Sequence, residues 1–290
     1  MIHPARLPAG RTLVMGILNI TPDSFSGDGL AVGGDVTRGA LEKARQFIAD
    51  GADILDVGGE SIRPGSQTIS AAEEIQRVVP VIQAIRQESE ITISVDTYKA
   101  EVAEAALGAG ANWINDVWAL RADPRMAVLA ARTGAPVVLM HNRSKAGEVI
   151  LREKLGGMYQ GADYADLLGD VQIDLMASVS IAQAAGVPRD AIVLDPGIGF
   201  GKTVAQNLQL IARLDEIKTL GFPLLLGPSR KSFIGYTLDL PPEERLEGTL
   251  AALAVGIQRG ADIVRVHDVR QAVRLTRMVD AILGSVNRPG

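Results

Sequence analysis

The sequence predicts an α/β protein that forms one closed (β/α)8 barrel. Eight short apolar runs recur along the 290 residues, and each is followed by a stretch with helical periodicity. Strands that alternate with helices form parallel sheets, and eight such units close into a barrel. No Ser-, Pro- or Gly-rich linker divides the chain, so residues 1–290 are expected to form a single domain. A doubly wound open sheet is the alternative architecture.

The first four predicted strands are rich in β-branched and other apolar residues. They are residues 13–20, 53–57, 91–96 and 113–117. Gly51 and Gly110 stand shortly before the second and fourth strands, where glycine commonly ends a helix. No run approaches the about 20 apolar residues that cross a bilayer, and the N-terminus lacks the hydrophobic region of a signal peptide. We therefore expect a cytoplasmic protein that does not enter the membrane.

The other four predicted strands are residues 136–141, 191–195, 223–226 and 261–267. Gly260 precedes the last of them in the same way. Between the fifth and sixth strands, apolar residues from Leu168 to Ala182 recur every three or four positions, which predicts a helix. The connection before that helix, residues 142–161, is predicted to be an irregular loop.

Composition excludes several classes of protein. Hydrophobic residues make up 47% of the chain and charged residues 22%, which is typical of a globular protein with a large core. The 34 acidic residues outnumber the 29 Lys and Arg residues, so nucleic acid is not an expected partner. The chain has no cysteine, which excludes disulfides, thiolate metal sites and catalytic thiols.

Polar side chains gather at the ends of the predicted strands, where barrel enzymes carry their catalytic groups. They are Asn19, Asp56, Asp96, Asn115, Asp116, His141, Asp195, Arg265 and His267. Alternation along residues 263–267 places Arg265 and His267 on one face of the strand, and Ser94 and Asp96 share a face in the same way. We expect these faces to point into the barrel. Any one polar residue could merely satisfy loop backbone, but the set indicates an active site.

Two loops offer anion-binding chemistry. Residues 195–203 resemble a nucleotide-binding P-loop, but Pro196 stands where that motif needs glycine, so a kinase or ATPase is not expected. Residues 227–232 follow the seventh strand, where barrel phosphate sites are commonly built, although an ordinary helix start would look similar. The residues alone therefore indicate an enzyme that acts on a phosphorylated small molecule with a polar ring.

Seven motifs follow one another along nearly the whole chain. They are MGILNITPDSFS at 15–26, DVGGES at 56–61, SVDT at 94–97, IND at 114–116, LDPG at 194–197, SRKS at 229–232 and RVHD at 265–268. As an ordered set, they resemble the dihydropteroate synthases of folate biosynthesis. This resemblance implies a TIM barrel and a transferase that joins p-aminobenzoate to a dihydropterin diphosphate and releases diphosphate.

The resemblance also implies which residues bind the pterin. These are Asp96, Asn115, Met140, Asp195, Lys231 and Arg265. Asp195 would accept hydrogen bonds from the 2-amino group and N3–H, and Arg265 would stack on the ring. Asp96 and Asn115 would meet the ring edge, Lys231 would donate to a ring oxygen or nitrogen, and Met140 would pack under the ring.

Four further assignments follow from the same resemblance. Arg63, Arg265 and His267 would bind the diphosphate, Asn19 would be the magnesium ligand, and Asp28 would be the acidic residue of the first loop. The aminobenzoate would lie among Ile62, Pro64, Phe200 and Ser232.

The chain departs from the family pattern in two places. Ile62 stands where the family usually has Thr, and Asp28 is displaced by one position from the usual loop carboxylate.

Two other functions remain open at this stage. Barrels that transfer a methyl group from methyltetrahydrofolate to a corrinoid protein share the ring-edge Asp and Asn residues but bind no diphosphate. A non-catalytic pterin-binding protein is the other alternative, which Ile62 makes conceivable. The family resemblance further implies a homodimer.

Overall fold

The structure, a computed structural model, describes residues 1–20, 34–61, 66–145, 149–152 and 154–286. Ten strands lie in these ranges. They are β1 (Leu13–Asn19), β2 (Ile54–Gly58), β3 (Thr92–Asp96), β4 (Trp113–Asp116), β5 (Val137–Met140), β6 (Val149–Arg152), β7 (Gly156–Tyr159), β8 (Ile192–Asp195), β9 (Leu225–Leu226) and β10 (Ile263–Val266).

Eight of these strands form one parallel sheet that closes into a barrel. Their order is β8-β5-β4-β3-β2-β1-β10-β9. A parallel bridge between Leu194 and Leu224 joins the two ends of this order, and the Leu194 N–H donates to the Pro223 carbonyl at 2.9 Å. The predicted (β/α)8 barrel is therefore confirmed, and the open sheet is excluded. Each of the eight predicted runs contains or overlaps one barrel strand.

Helices alternate with the strands and cover the outside of the barrel. They are α1 (Gly34–Ala49), α2 (Ala71–Glu88), α3 (Ala100–Gly108), α4 (Arg125–Thr133), α5 (Leu167–Ala184), α6 (Val204–Ala212), α7 (Leu214–Lys218), α8 (Ser232–Leu238), α9 (Leu246–Gln258) and α10 (Val269–Val286). Among the described residues, none of these helices is both long enough and apolar enough to cross a membrane.

Local chemistry explains where several helices begin and end. Ser70 caps α2 by accepting the Glu73 N–H, and Thr203 forms a capping box with Gln206 at the start of α6. The three glycines that precede β2, β4 and β10 have positive φ angles of 96° to 114°. Since side chains other than glycine rarely adopt this conformation, these residues end the helices as the sequence predicts.

The interior of the barrel is a packed core at the N-terminal ends of the strands. Its residues are Leu13, Met15, Ile54, Trp113, Val138, Val193, Leu225 and Ile263. Ile2 and Leu7 pack against this core, and the Ile2 carbonyl accepts the indole N–H of Trp113 at 3.0 Å. The N-terminal segment therefore covers one end of the barrel, and the polar strand ends lie at the other, which we call the mouth.

Residues 142–161 are not an irregular loop throughout, so that prediction was wrong. They contain β6 and β7, which form an antiparallel hairpin. Val149 pairs with Tyr159 at its open end, and Arg152 pairs with Gly156 beside the turn. The guanidinium of Arg245 is buried and donates to the Leu155 carbonyl at 2.8 Å, which fastens the hairpin turn. Tyr159 stacks on Phe200 with 5.9 Å between the ring centres, so the hairpin borders the mouth.

Candidate active site

Four polar side chains meet at the barrel mouth, at the ends of β2, β3, β4 and β10. Arg265 donates through Nε to Asp56 Oδ2 at 2.6 Å and through a terminal nitrogen to Asp96 Oδ2 at 2.5 Å. Asn115 Nδ2 donates to the same Asp56 oxygen at 3.0 Å. The structure thus brings together three predicted site residues and shows that Asp56 joins them. The valines beside Arg265 lie in the outer core, as the alternation predicts.

Burial controls the charges of this cluster. Burial raises the pKa of Asp96 to about 7. The guanidinium of Arg265 opposes this rise, and the carboxylate of Asp56 adds to it. Burial alone would lower the pKa of Arg265, but the Asp56 and Asp96 carboxylates together raise it above its ordinary value. Arg265 therefore remains charged. Asp56 Oδ1 and Ser94 Oγ are buried and have no hydrogen-bond partner among the described residues.

A second pair of opposite charges lies at the end of β8. The Asp195 carboxylate accepts the Gly197 N–H at 2.7 Å, and Lys231 Nζ donates to the Ile198 carbonyl. Burial raises the pKa of Asp195, and Lys231 is the main charge that opposes this rise. Burial lowers the pKa of Lys231 to about 8. The Asp195 carboxylate and the Lys231 ammonium therefore act on each other's pKa at this side of the mouth.

An apolar surface lies beside these charges. Val117, Met140 and Phe200 form a buried cluster, and the half-buried rings of Tyr98, Trp118 and Tyr159 pack against it. The ammonium of Lys231 lies 4.6 Å from the centre of the Phe200 ring. Apolar and aromatic side chains next to a few fixed polar groups are typical of sites that bind small molecules.

His267 follows β10, and its position is fixed by Ser229. The His267 N–H donates to Ser229 Oγ at 3.1 Å, and Ser229 Oγ lies 3.0 Å from His267 Nδ1. Since the Ser229 oxygen accepts the backbone hydrogen, its hydroxyl can donate to Nδ1, which suits an imidazole protonated at Nε2. Ser232 begins α8 and Asn19 ends β1, and both side chains are half-buried.

Four of the predicted site residues, Asp28, Ile62, Arg63 and Pro64, lie outside the described residues.

Two polar strand ends have other partners. Asp116 accepts the Trp118 and Leu120 N–H groups at 2.8 Å each, and so holds a loop in which Leu120 has a φ of 68°. His141 is buried and interacts with Lys202 and Asp174. The sequence did not predict that Lys202 and Asp174 would contact His141, although Lys202 lies in the glycine-rich loop described above.

Comparisons with known proteins agree on one family. The family described as "Pterin binding enzyme" matches residues 15–267. The chain is 52% identical over 273 residues to the dihydropteroate synthase of Bacillus subtilis, which covers 94% of this chain and 89% of that protein. It is 42% identical over 272 residues to the Escherichia coli K12 enzyme, with coverage of 94% and 92%.

Solved structures give the same result. A dihydropteroate synthase from Clostridium difficile, determined in the presence of pteroic acid, has a TM-score of 0.85 and 45% identity, and the match covers 94% of this chain and 97% of that one. The Xanthomonas albilineans enzyme with 4-aminobenzoic acid has a TM-score of 0.84 and 38% identity, with coverage of 97% and 94%.

Proposed function

The chain belongs to the pterin-binding enzymes, and we propose on this basis that its barrel mouth carries out the dihydropteroate synthase reaction. Its relatives of this name are 42% to 52% identical over nearly its whole length, so it is a transferase of folate biosynthesis. The observation that supports the assignment best is the arrangement of the mouth, where the Arg265 cluster, the Asp195–Lys231 pair and the apolar surface border one site.

The pterin ring would lie against the apolar surface with its polar edge toward the strand ends. The Asp195 carboxylate would accept hydrogen bonds from the 2-amino group and N3–H, while Asn115 and Asp96 would meet the opposite edge. Arg265 donates to Asp56 and Asp96 in the plane of its guanidinium, so its faces can stack on the ring. Lys231 would donate to a ring oxygen or nitrogen, and Met140 would support the ring from below.

The leaving group would be bound by cations at the rim. As the bond between the pterin methylene and the diphosphate oxygen breaks, its electron pair goes to the diphosphate, where negative charge accumulates. Arg63, Arg265 and His267 would stabilise that charge. The remaining pterinylmethyl cation is stabilised by its own ring, so no covalent bond to the enzyme is needed.

Magnesium would accompany the diphosphate. The described residues contain no group of three His, Asp or Glu side chains that could hold a metal ion by themselves. Asn19 supplies a carboxamide oxygen at the end of β1, which fits a magnesium ion that takes its other ligands from phosphate oxygens and water. When bound, the ion would neutralise charge on the departing diphosphate.

The arylamine would attack from the side of Phe200 and Ser232. Its nitrogen lone pair forms the new bond to the methylene carbon, and the nitrogen then loses a proton to solvent. The Ser232 hydroxyl would bind the carboxylate of p-aminobenzoate. Contacts of Ile62 and Pro64 with the arylamine, and a role for Asp28, remain predictions from the sequence. Cytoplasmic location and a homodimer remain predictions as well.

A direct assay tests the function. The purified protein is incubated with dihydropterin diphosphate, p-aminobenzoate and magnesium, and dihydropteroate is measured by chromatography. We expect product to form and to depend on both substrates, and we expect Arg265→Ala to abolish it. Lys218→Met is a suitable control, because Lys218 pairs with Asp262 at the far end of the barrel. Absence of product from the folded wild-type protein would contradict the proposal.

A further inference from the structure

A fully buried lysine lies beneath the glycine-rich loop at the mouth and has no part in the proposed chemistry. Lys202 Nζ donates to the Gly197 carbonyl at 2.9 Å, to the Phe200 carbonyl at 3.0 Å and to His141 Nδ1 at 3.0 Å. An ammonium group carries three hydrogens, and each of them has an acceptor here. The geometry is therefore that of the charged lysine.

His141 and Asp174 extend this contact to helix α5. His141 Nε2 lies 3.1 Å from Asp174 Oδ2, and because a carboxylate oxygen accepts, the ring proton belongs on Nε2. His141 Nδ1 is then the acceptor for Lys202. Burial lowers the pKa of His141 to about 3, and Lys202 contributes to this shift, so the imidazole stays neutral. Arg143 Nε donates to the same Asp174 oxygen at 2.7 Å. A continuous chain of hydrogen bonds thus joins the loop to the helix.

The loop itself is packed too tightly for side chains at two glycines. Gly197 has a φ of 70°, and a Cβ atom there would lie 1.8 Å from the His141 carbonyl oxygen. Gly201 has a φ of 63°, and its Cβ would lie 2.6 Å from the backbone of Arg143 and Ser144. The loop backbone therefore lies directly on the segment that follows β5, with the lysine ammonium beneath it. Residues 195 and 200 stand at either side of this anchored turn.

We propose that Lys202 is a positioning residue for the pterin site. Its ammonium fixes the loop between Asp195 and Phe200, and its positive charge favours the ionised Asp195 carboxylate that would bind the amino edge of the pterin. This inference rests on the proposed function, because that function assigns Asp195 to the pterin. If Lys202 acted only by packing the loop, its replacement would change pterin affinity equally at every pH.

The surrounding charges determine in which direction the pKa of Asp195 should change when the charge of Lys202 is removed. Burial raises the pKa of Asp195, and the cations that oppose this rise are Lys231, Arg265 and Lys202. Lys202 in turn faces Asp195, Lys231, Arg143, Asp174 and His141. Burial lowers its pKa to about 7, and Asp195 opposes this fall, so Lys202 is charged at acidic pH. Without the Lys202 charge, Asp195 should become protonated at a higher pH.

The test measures how pterin affinity depends on pH. Binding of 6-hydroxymethylpterin is followed by calorimetry between about pH 5 and about pH 8 for the wild type, Lys202→Met, Lys202→Gln and the control Lys218→Met. The loss of affinity toward acidic pH should begin at a higher pH in both Lys202 variants than in the wild type. At the acidic end both variants should therefore bind the pterin more weakly than the wild type, while the affinities should converge toward the alkaline end. Lys218→Met should follow the wild type throughout.

The two Lys202 variants separate charge from packing. Gln keeps two N–H donors for the loop carbonyls but has no charge, so its melting temperature should stay closer to that of the wild type. If Lys202→Met does not fold, Lys202→Gln alone decides, because the charge is removed in both. An unchanged affinity, or a loss that is equal at every pH, would overturn the inference. If the wild type itself binds no pterin, the proposed function fails instead.

Discussion

At the scale of single residues, the site depends on buried carboxylates whose ionised form is favoured by nearby cations. Asp195 ends β8 and is 5% exposed, with one oxygen bound to the Gly197 N–H. A neutral amide at this position could still accept that hydrogen bond, so the fold should tolerate Asn. The pterin would lose a charged acceptor.

We therefore expect Asp195→Asn to weaken pterin binding by roughly 1.5–3 kcal/mol while its melting temperature stays near that of the wild type. Calorimetry with an unphosphorylated pterin measures the loss. Asp190→Asn is a matched control, because Asp190 is exposed at the covered end of the barrel beside Met1. Equal affinities of the wild type and Asp195→Asn would show that Asp195 does not contact the ring.

Arg265 neutralises two buried carboxylates, so its removal should affect stability as well as turnover. Arg265→Ala leaves Asp56 and Asp96 without a cation, which should cost about 3–5 kcal/mol of unfolding free energy near neutral pH. Burial already raises the pKa of Asp96 to about 7 with the guanidinium present. The folded variant should therefore bind more protons than the unfolded chain, so stability falls as pH rises.

Urea unfolding of Arg265→Ala and the wild type at about pH 5 and about pH 8 tests whether the stability of the variant falls as pH rises. The stability difference between the two proteins should be smaller at the lower pH, because protonated Asp96 needs no counter-ion. A difference that grows on acidification would contradict the proposed charge state.

At the scale of elements, the hairpin and α8 share one buried arginine. Gly235 lies inside α8, and a Cβ atom there would lie 2.1 Å from a terminal nitrogen of Arg245. The guanidinium of Arg245 would have to move away from the Leu155 carbonyl that it binds in the hairpin turn. Replacing this one glycine should therefore disturb two elements.

We expect Gly235→Ala to destabilise the protein by about 1–3 kcal/mol through this overlap. Gly284→Ala makes the same change inside α10, where a Cβ would meet no atom within 4 Å, and should stabilise by about 0.5–1 kcal/mol. Thermal unfolding of both variants tests whether the first change lowers the stability and the second raises it. Hydrogen exchange should also quicken at residues 155–159 in Gly235→Ala only, and protection equal to that of the wild type would argue against the link.

Local patterns predicted the barrel strands but not the hairpin. Each barrel strand has its own apolar run and a following helix, so residues that are close in sequence are sufficient to predict it. The hairpin instead contains Gly156 and Gly157, and its contacts are with Arg245 and Phe200, which are distant in sequence. The same limit applies to the site. The glycines around Lys202 are visible in the sequence, whereas the contact of its ammonium with His141, which follows β5, joins residues that are 61 positions apart.

At the scale of the whole molecule, the two ends of the chain close the barrel together. Asp280 in α10 accepts the Thr12 N–H and hydroxyl at 2.8 Å each, just before β1 begins. Thr12 is 6% exposed, so water cannot readily replace this partner. The last helix therefore fastens the first strand.

Asp280→Ala should lower the free energy of unfolding by about 1–3 kcal/mol, because it leaves two Thr12 donors without an acceptor. Asp215→Ala is the control, since the pair that Asp215 forms with Arg259 at 3.3 Å is exposed, a type of contact worth about 0–1 kcal/mol. Denaturant unfolding of both variants measures the contrast. Equal losses would show that Thr12 finds another acceptor when Asp280 is absent.

The chain contains two tryptophans, and the fold places them at opposite ends of the barrel. Trp113 is sealed in the interior core beneath the N-terminal segment, while Trp118 is half-buried against the apolar surface at the mouth. A ligand stacked at the mouth should therefore quench the emission of Trp118 and leave that of Trp113 unchanged. Trp118→Phe would yield a protein whose intrinsic fluorescence responds to denaturation but not to pterin, so occupancy and global unfolding can be recorded separately without any attached dye.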